Sequence, residues 1–141
     1  MTQATSPRSP QRKLPAPLMN PEAKPYFDAA AEGRLIYRHC GACGHAHHPP
    51  RSICPTCRSL ELTWKTASGL GTVYSASTLH RGVPVPYCIA WVSLDEGVTL
   101  MTNLVDTGGR TPPVATRVQL RFVEAEGGAQ MPVFTPVGTP S

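Results

Sequence analysis

Apolar and polar positions alternate with a period of two through much of the chain after Leu35. That pattern predicts short strands at Leu35–His39 and Glu61–Ala67. It then predicts a series at Gly71–His80, Tyr87–Leu94, Thr99–Val105, Arg117–Ala125 and Met131–Thr135. Val118, Leu120 and Phe122 show the alternation most clearly, and Val, Thr, Ile and aromatics suit a pleated, half-buried surface. The links are turn material: Arg81-Gly82, Asp95-Glu96-Gly97, Thr107-Gly108-Gly109 with Pro112-Pro113, and Glu126-Gly127-Gly128. The last five strands suit a small closed barrel, because closure removes the edges that a small open sheet exposes.

The pattern before Leu35 is different. Tyr26, Phe27 and Ala30 share one helical face. Asn20 suits an N-cap, Pro21 the first helical position, Pro25 the first turn and Gly33 the stop. The spacing predicts a short helix of about three turns. Its aromatics pack either on the chain's own small domain or on another chain. Residues 1–18 mix Pro, Ser, Thr, Gln and bases without periodicity and read as a disordered arm, either a passive one or one that docks a partner. The expected division is an arm at 1–18, a helix at 19–34, a cysteine-rich lobe at 35–68 and a barrel at 69–137.

With 141 residues, 40% of them hydrophobic, the chain fits one domain or two very small ones. A lobe of about 35 residues is below the size that normally folds unaided and needs a staple. Cys40-Gly41-Ala42-Cys43 and Cys54-Pro55-Thr56-Cys57 supply one. Each pair places two sulfurs near the spacing of a tetrahedral ion, and Gly44 permits the tight backbone that follows. Four thiolates leave no open coordination position, so Cys40, Cys43, Cys54 and Cys57 are expected to hold a structural metal. Zn²⁺ is the default and iron in a rubredoxin-like site the alternative. His39, His45, His47 and His48 crowd the same stretch and are expected to lie in solvent or behind the ligands.

The formal charge is +4, but its distribution weakens a polyanion-binding reading. Residues 1–18 carry +3, residues 19–70 carry +2 and residues 71–141 carry −1, so the excess sits away from the barrel. No apolar run approaches 18 residues, and the first residues lack the apolar core of a secretion signal. Those features predict a cytoplasmic chain with no membrane span, where cysteines hold metal more often than they form disulfides. The fifth cysteine, Cys88, shares a strand face with Ala90, Val92 and Leu94 and reads as a small buried residue. Asp95-Glu96 reads as a hairpin turn with solvated carboxylates rather than an acid–base pair. No G-x-S-x-G, P-loop, G-x-G-x-x-G or H-E-x-x-H motif occurs, and no catalytic residue is assigned.

In chain order come the aromatic helix, Cys40-Gly41-Ala42-Cys43-Gly44, Pro49-Pro50-Arg51, Cys54-Pro55-Thr56-Cys57, Trp64, Gly69-Leu70-Gly71-Thr72-Val73-Tyr74-Ser75, Pro86-Tyr87 and Leu94-Asp95-Glu96-Gly97-Val98. The order resembles a bacterial and archaeal family, long described as a domain of unknown function, in which a rubredoxin-like zinc ribbon precedes an OB-fold. The resemblance implies a mainly β protein with a short N-terminal helix, a ribbon and a five-stranded OB barrel. It also implies a non-catalytic accessory subunit of an acyl-CoA enzyme of lipid metabolism. The partner, of thiolase, aldolase or ketosynthase type, would form a hetro-oligomer with it and supply the catalytic groups. The OB-fold would help form the CoA or acyl channel. Under that implication the helix carrying Tyr26 and Phe27 is expected to dock the partner, and Arg51 and Arg81 are candidates for contacts to a CoA ester. The alternative is a single-stranded nucleic-acid module built on stacking aromatics and a basic groove.

Overall fold

The computed structural model describes residues 13–18 and 20–137. Its first regular element is the helix α1, Lys24–Ala31. The helix is shorter than the 19–34 expected. Pro25 has no amide to bond back to residue 21, and its ring crowds that carbonyl, so residues 21–23 form a turn instead. Asn20 still caps, but it caps this turn: its Oδ1 accepts from the Ala23 N–H at 2.8 Å. Gly33, at φ +82°, ends the helix as expected.

Three antiparallel strands follow: β1 (Ile36–Cys40), β2 (Ala46–His47) and β3 (Leu62–Thr66), in the order β2-β1-β3. Arg38 on the central strand lies opposite His47 on one side and Trp64 on the other. The two-residue β2 is too short to leave a periodic signal.

The barrel contains β4 (Leu70–Leu79), β5 (Tyr87–Leu94), β6 (Thr99–Leu104), β7 (Arg117–Glu124) and β8 (Gln130–Pro136). It closes in the order β4-β5-β6-β8-β7, with β6 and β8 parallel and the other neighbours antiparallel. This is the OB-fold expected from the sequence. Gly71 is required where β4 crosses β5, since a Cβ there would stand 2.7 Å from the Ser93 carbonyl oxygen. A bulge between Val73 and Ser75 then turns Tyr74 outward, 67% exposed.

The core is continuous across the two lobes. Val73, Val92, Leu94, Leu100, Val118 and Phe134 fill the barrel, and Leu35, Ile36, Tyr37 and Tyr26 join the same buried cluster. Cys88 lies within it beside Ala90 and Val92, buried as its strand pattern predicts. Tyr26 is therefore consumed internally, which corrects the expectation that it docks a partner; Phe27 packs half-buried against the same cluster. The Glu96 carboxylate accepts the Ser68 N–H at 2.7 Å and so ties the β5–β6 turn to the link between the lobes. Asp95 grips Arg117 with both oxygens, at 2.8 and 3.0 Å. These carboxylates are structural tethers rather than the idle turn groups expected.

Of the expected arm, residues 1–12 lie outside the described residues. Within residues 13–18 the chain is anchored to the barrel at Leu14, while Leu18 is exposed. Leu14 is only 9% exposed and packs with Ala125 and Val133, while its carbonyl accepts the Glu126 N–H at 2.9 Å. Among the described residues, no helix is long and apolar enough to cross a membrane.

Candidate functional site

Two nearly identical turns build the cysteine cluster. In the first, Cys40 N–H donates to the His45 carbonyl and Gly44 N–H to the Cys40 carbonyl, both at 2.9 Å. In the second, Cys54 N–H donates to the Ser59 carbonyl and Arg58 N–H to the Cys54 carbonyl, again both at 2.9 Å. The residue after each second cysteine is left-handed: Gly44 at φ +80° and Arg58 at φ +66°. Glycine adopts that conformation freely, whereas arginine is strained by it.

The turns bring four sulfurs together. Cys40 Sγ and Cys57 Sγ are 3.6 Å apart, Cys43 Sγ and Cys54 Sγ are 3.7 Å apart, and all four lie within 4.8 Å of one another. A tetrahedral ion with metal–sulfur bonds of about 2.3 Å needs sulfurs about 3.8 Å apart, so the donor set fits one ion. Backbone amides prepare the site for charge. Ala42 and Cys43 N–H point at Cys40 Sγ (3.3 and 3.4 Å), and Thr56 and Cys57 N–H point at Cys54 Sγ (3.4 and 3.5 Å). The Cys43 amide lowers the Cys40 thiol against the cost of burial. At Cys54 burial opposes ionisation, but the Cys57 and Thr56 amides outweigh it and bring the thiol down to about 6. Cys43 and Cys57 shift upward. Amides of His45 and Ser59 favour their thiolates, but burial and the crowding of neighbouring sulfurs prevail. Such crowding is relieved when a cation shares the four charges.

The histidines follow expectation in part. None joins the cluster, which among the described residues consists of the four cysteines. His45 is exposed and stacks on His47 at 5.7 Å between ring centroids. His47 is buried, and neither of its ring nitrogens has a hydrogen-bond partner. His48 packs on Tyr26 at 5.1 Å. Burial, with the charges of His47 and Arg51 adding to it, pushes His48 down to about 4. The His48 ring is a packing element at the seam between ribbon, helix and barrel.

The barrel carries two cavities that the sequence did not reveal. One, of about 280 Å³, is lined by Leu14, Cys88, Leu104, Val123 and Val133 among others. The other, of about 420 Å³, lies among Leu14–Pro17, Tyr26, Phe27, His48–Pro50 and Met101–Asn103. Arg51 and Arg81, expected as CoA contacts, line neither. Outside the barrel, Ile89, Trp91 and Met101 form an exposed apolar band on β5 and β6, with Trp91 directly opposite Met101 and Tyr74 beside them on the bulge. Period-two alternation placed these residues on strands but gave no reason to expect large apolar side chains on the outer face.

Comparison with known proteins agrees with this architecture. Residues 27–63 match the family model described as "ChsH2, rubredoxin-like zinc ribbon domain", and residues 64–123 match "ChsH2, C-terminal OB-fold domain". The chain is 35% identical over 133 residues to a "Probable enoyl-CoA hydratase alpha subunit" of Thermomonospora curvata. That match covers 92% of this chain but 42% of the relative, so the chain spans less than half of that protein's length. It is 37% identical over 94 residues to a "DUF35 domain-containing scaffold protein" of Methanocaldococcus jannaschii, covering 62% of this chain and 67% of the relative. A solved structure described as "Ltp2-ChsH2(DUF35) aldolase" superposes with a TM-score of 0.75 at 35% identity, covering 86% of this chain and 98% of that one. A zinc ribbon and an OB barrel on one core, matched over nearly the whole of that solved chain, place the protein in the DUF35 family.

Proposed function

We propose that the chain is a non-catalytic accessory subunit of an acyl-CoA-processing enzyme. In this reading Cys40, Cys43, Cys54 and Cys57 hold one structural zinc ion. The barrel docks on a thiolase-, aldolase- or ketosynthase-type partner and helps enclose the CoA ester. Zinc supplies cross-linking only, because four sulfurs leave it no vacancy for a reactant. The observation that carries the reading is the band of Tyr74, Ile89, Trp91 and Met101. It is exposed on the outer face of a barrel that buries a separate core of its own, and exposed large apolar groups in one patch mark interaction sites. The names of the relatives point the same way: one is a hydratase subunit, one a scaffold protein, and one a component of an aldolase complex. Cys88 suits no nucleophilic role, since it is 2% exposed and burial raises its thiol.

The nucleic-acid alternative meets a charge obstacle. Arg117 and Arg121, two of the four barrel arginines, are neutralised by Asp95 and Asp106. The exposed aromatics thus lack a basic groove around them. Co-purification with a candidate thiolase- or aldolase-type subunit tests the proposal. Trp91→Glu should weaken the association at least a hundredfold while zinc content and barrel fold stay intact. A partner equally soluble and active without this chain would remove the reading, and salt-sensitive binding of single-stranded oligonucleotides would favour the alternative.

A further inference from the structure

The 280 Å³ cavity has a composition that selects its occupant. Its walls are mostly apolar, supplied by Leu14, Val85, Leu104, Val105, Val123 and Val133. Among the described residues no Lys, Arg or His lines it, and the one carboxylate, Asp106, is paired with Arg121. The Thr78 hydroxyl is engaged by Thr111 at 2.5 Å, and the Asn103 amide donates to the Cys88 carbonyl at 3.3 Å. An anionic head would therefore lose water here and meet no cation, whereas a hydrocarbon chain would exchange water for side-chain contacts. Size narrows the choice further: an apolar cavity of about 150 Å³ accepts benzene, so this one has room for about ten carbon atoms. Leu14 from the N-terminal segment and Asn103 from β6 line both this cavity and the larger one, so these two residues stand between the two spaces.

We infer that this cavity binds the aliphatic end of an uncharged medium-chain acyl thioester, with Leu14 as one of its walls. The thioester class rests on the accessory-subunit reading, while chain length and neutrality rest on the cavity alone.

The test uses the zinc-loaded chain of residues 1–141 with octanoyl-pantetheine, acetyl-pantetheine, octanoate and 1-octanol, followed by calorimetry and methyl NMR. Octanoyl-pantetheine should bind at least thirtyfold more tightly than acetyl-pantetheine and tenfold more tightly than octanoate. It should shift the methyl signals of Leu14, Leu104, Val105 and Val133. Val85→Trp, a change in the loop before β5, should fill the space and weaken binding at least tenfold without altering zinc content. Leu14→Ala, which removes part of an apolar wall, should weaken octanoyl-pantetheine binding. Equal binding of octanoate, unshifted wall methyls, or unchanged affinity in Val85→Trp would each overturn the assignment. Tight binding of 1-octanol with the same shifts, in a chain that captures no acyl-CoA enzyme subunit, would uphold the cavity and remove only the reading on which the thioester rests.

Discussion

Residues 36–66 and residues 70–136 reach rigidity from opposite directions. In the barrel the most deeply buried side chains are Phe134, Val73, Val92, Val98, Val118 and Val133; in the ribbon they are Cys40 and Cys54. The barrel closes its sheet on itself and fills it with aliphatic groups, so burial of apolar area stabilises it. The ribbon has a sheet of three short strands, and its centre is a group of sulfurs that repel one another once ionised. A lobe of that kind is held by coordination, and its folding energy depends on the metal.

The largest expected effect breaks the comparison on the ribbon side. Cys54→Ser removes one of four ligands and should cost several kcal/mol, with amide exchange rising sharply across residues 36–66 and much less in β5 and β6. On the barrel side, Phe134→Ala should cost about 3–5 kcal/mol by denaturant unfolding, since the ring is fully buried, while zinc content stays unchanged.

His48 is neutral in the fold because burial first, then the charges of His47 and Arg51, pull it down to about 4 from an ordinary 6.5. The unfolded chain therefore binds the extra proton first as pH falls, and stability is lost between about pH 6.5 and 4. The loss from this group should reach at most about 3 kcal/mol. Cysteine protonation acts in the same window, so the quantity to measure is the difference from His48→Phe, which keeps a ring against Tyr26 and should show a shallower acid slope.

The smallest effect sharpens the pseudo-symmetry of the two turns. Arg58→Gly should stabilise the ribbon by about 1 kcal/mol, because it gives the second turn the residue that Gly44 already supplies to the first. Thermal unfolding at fixed zinc concentration measures it.

Much of this contrast was legible in the residues themselves. Two C-x-x-C pairs announce their own geometry, because a cysteine spacing constrains sulfur positions whatever the surroundings. Alternation around Val118, Leu120 and Phe122 likewise located strands to within a residue or two. The failures involve groups whose surroundings are supplied from far along the chain. His47 and His48 were expected in solvent or behind the ligands, but His47 is buried and His48 is half-buried against Tyr26. Tyr26 looked available for a partner until the ribbon and barrel were seen to share one core. Leu14 sat in a stretch without periodicity, yet Ala125 and Val133 give it a seat. The cavities and the Trp91–Met101 band depend on how strands curve and pair, and a period of two does not carry that information.

The central claim is that one ion, held by four sulfurs, organises the ribbon while the barrel stands on its hydrophobic core. Native mass spectrometry of the purified chain before and after chelation, read together with amide exchange, tests it most directly. The account predicts one zinc per chain, with protection lost across residues 36–66 on chelation and retained in the barrel strands. A metal-free chain whose ribbon amides are as protected as those of the barrel would contradict it.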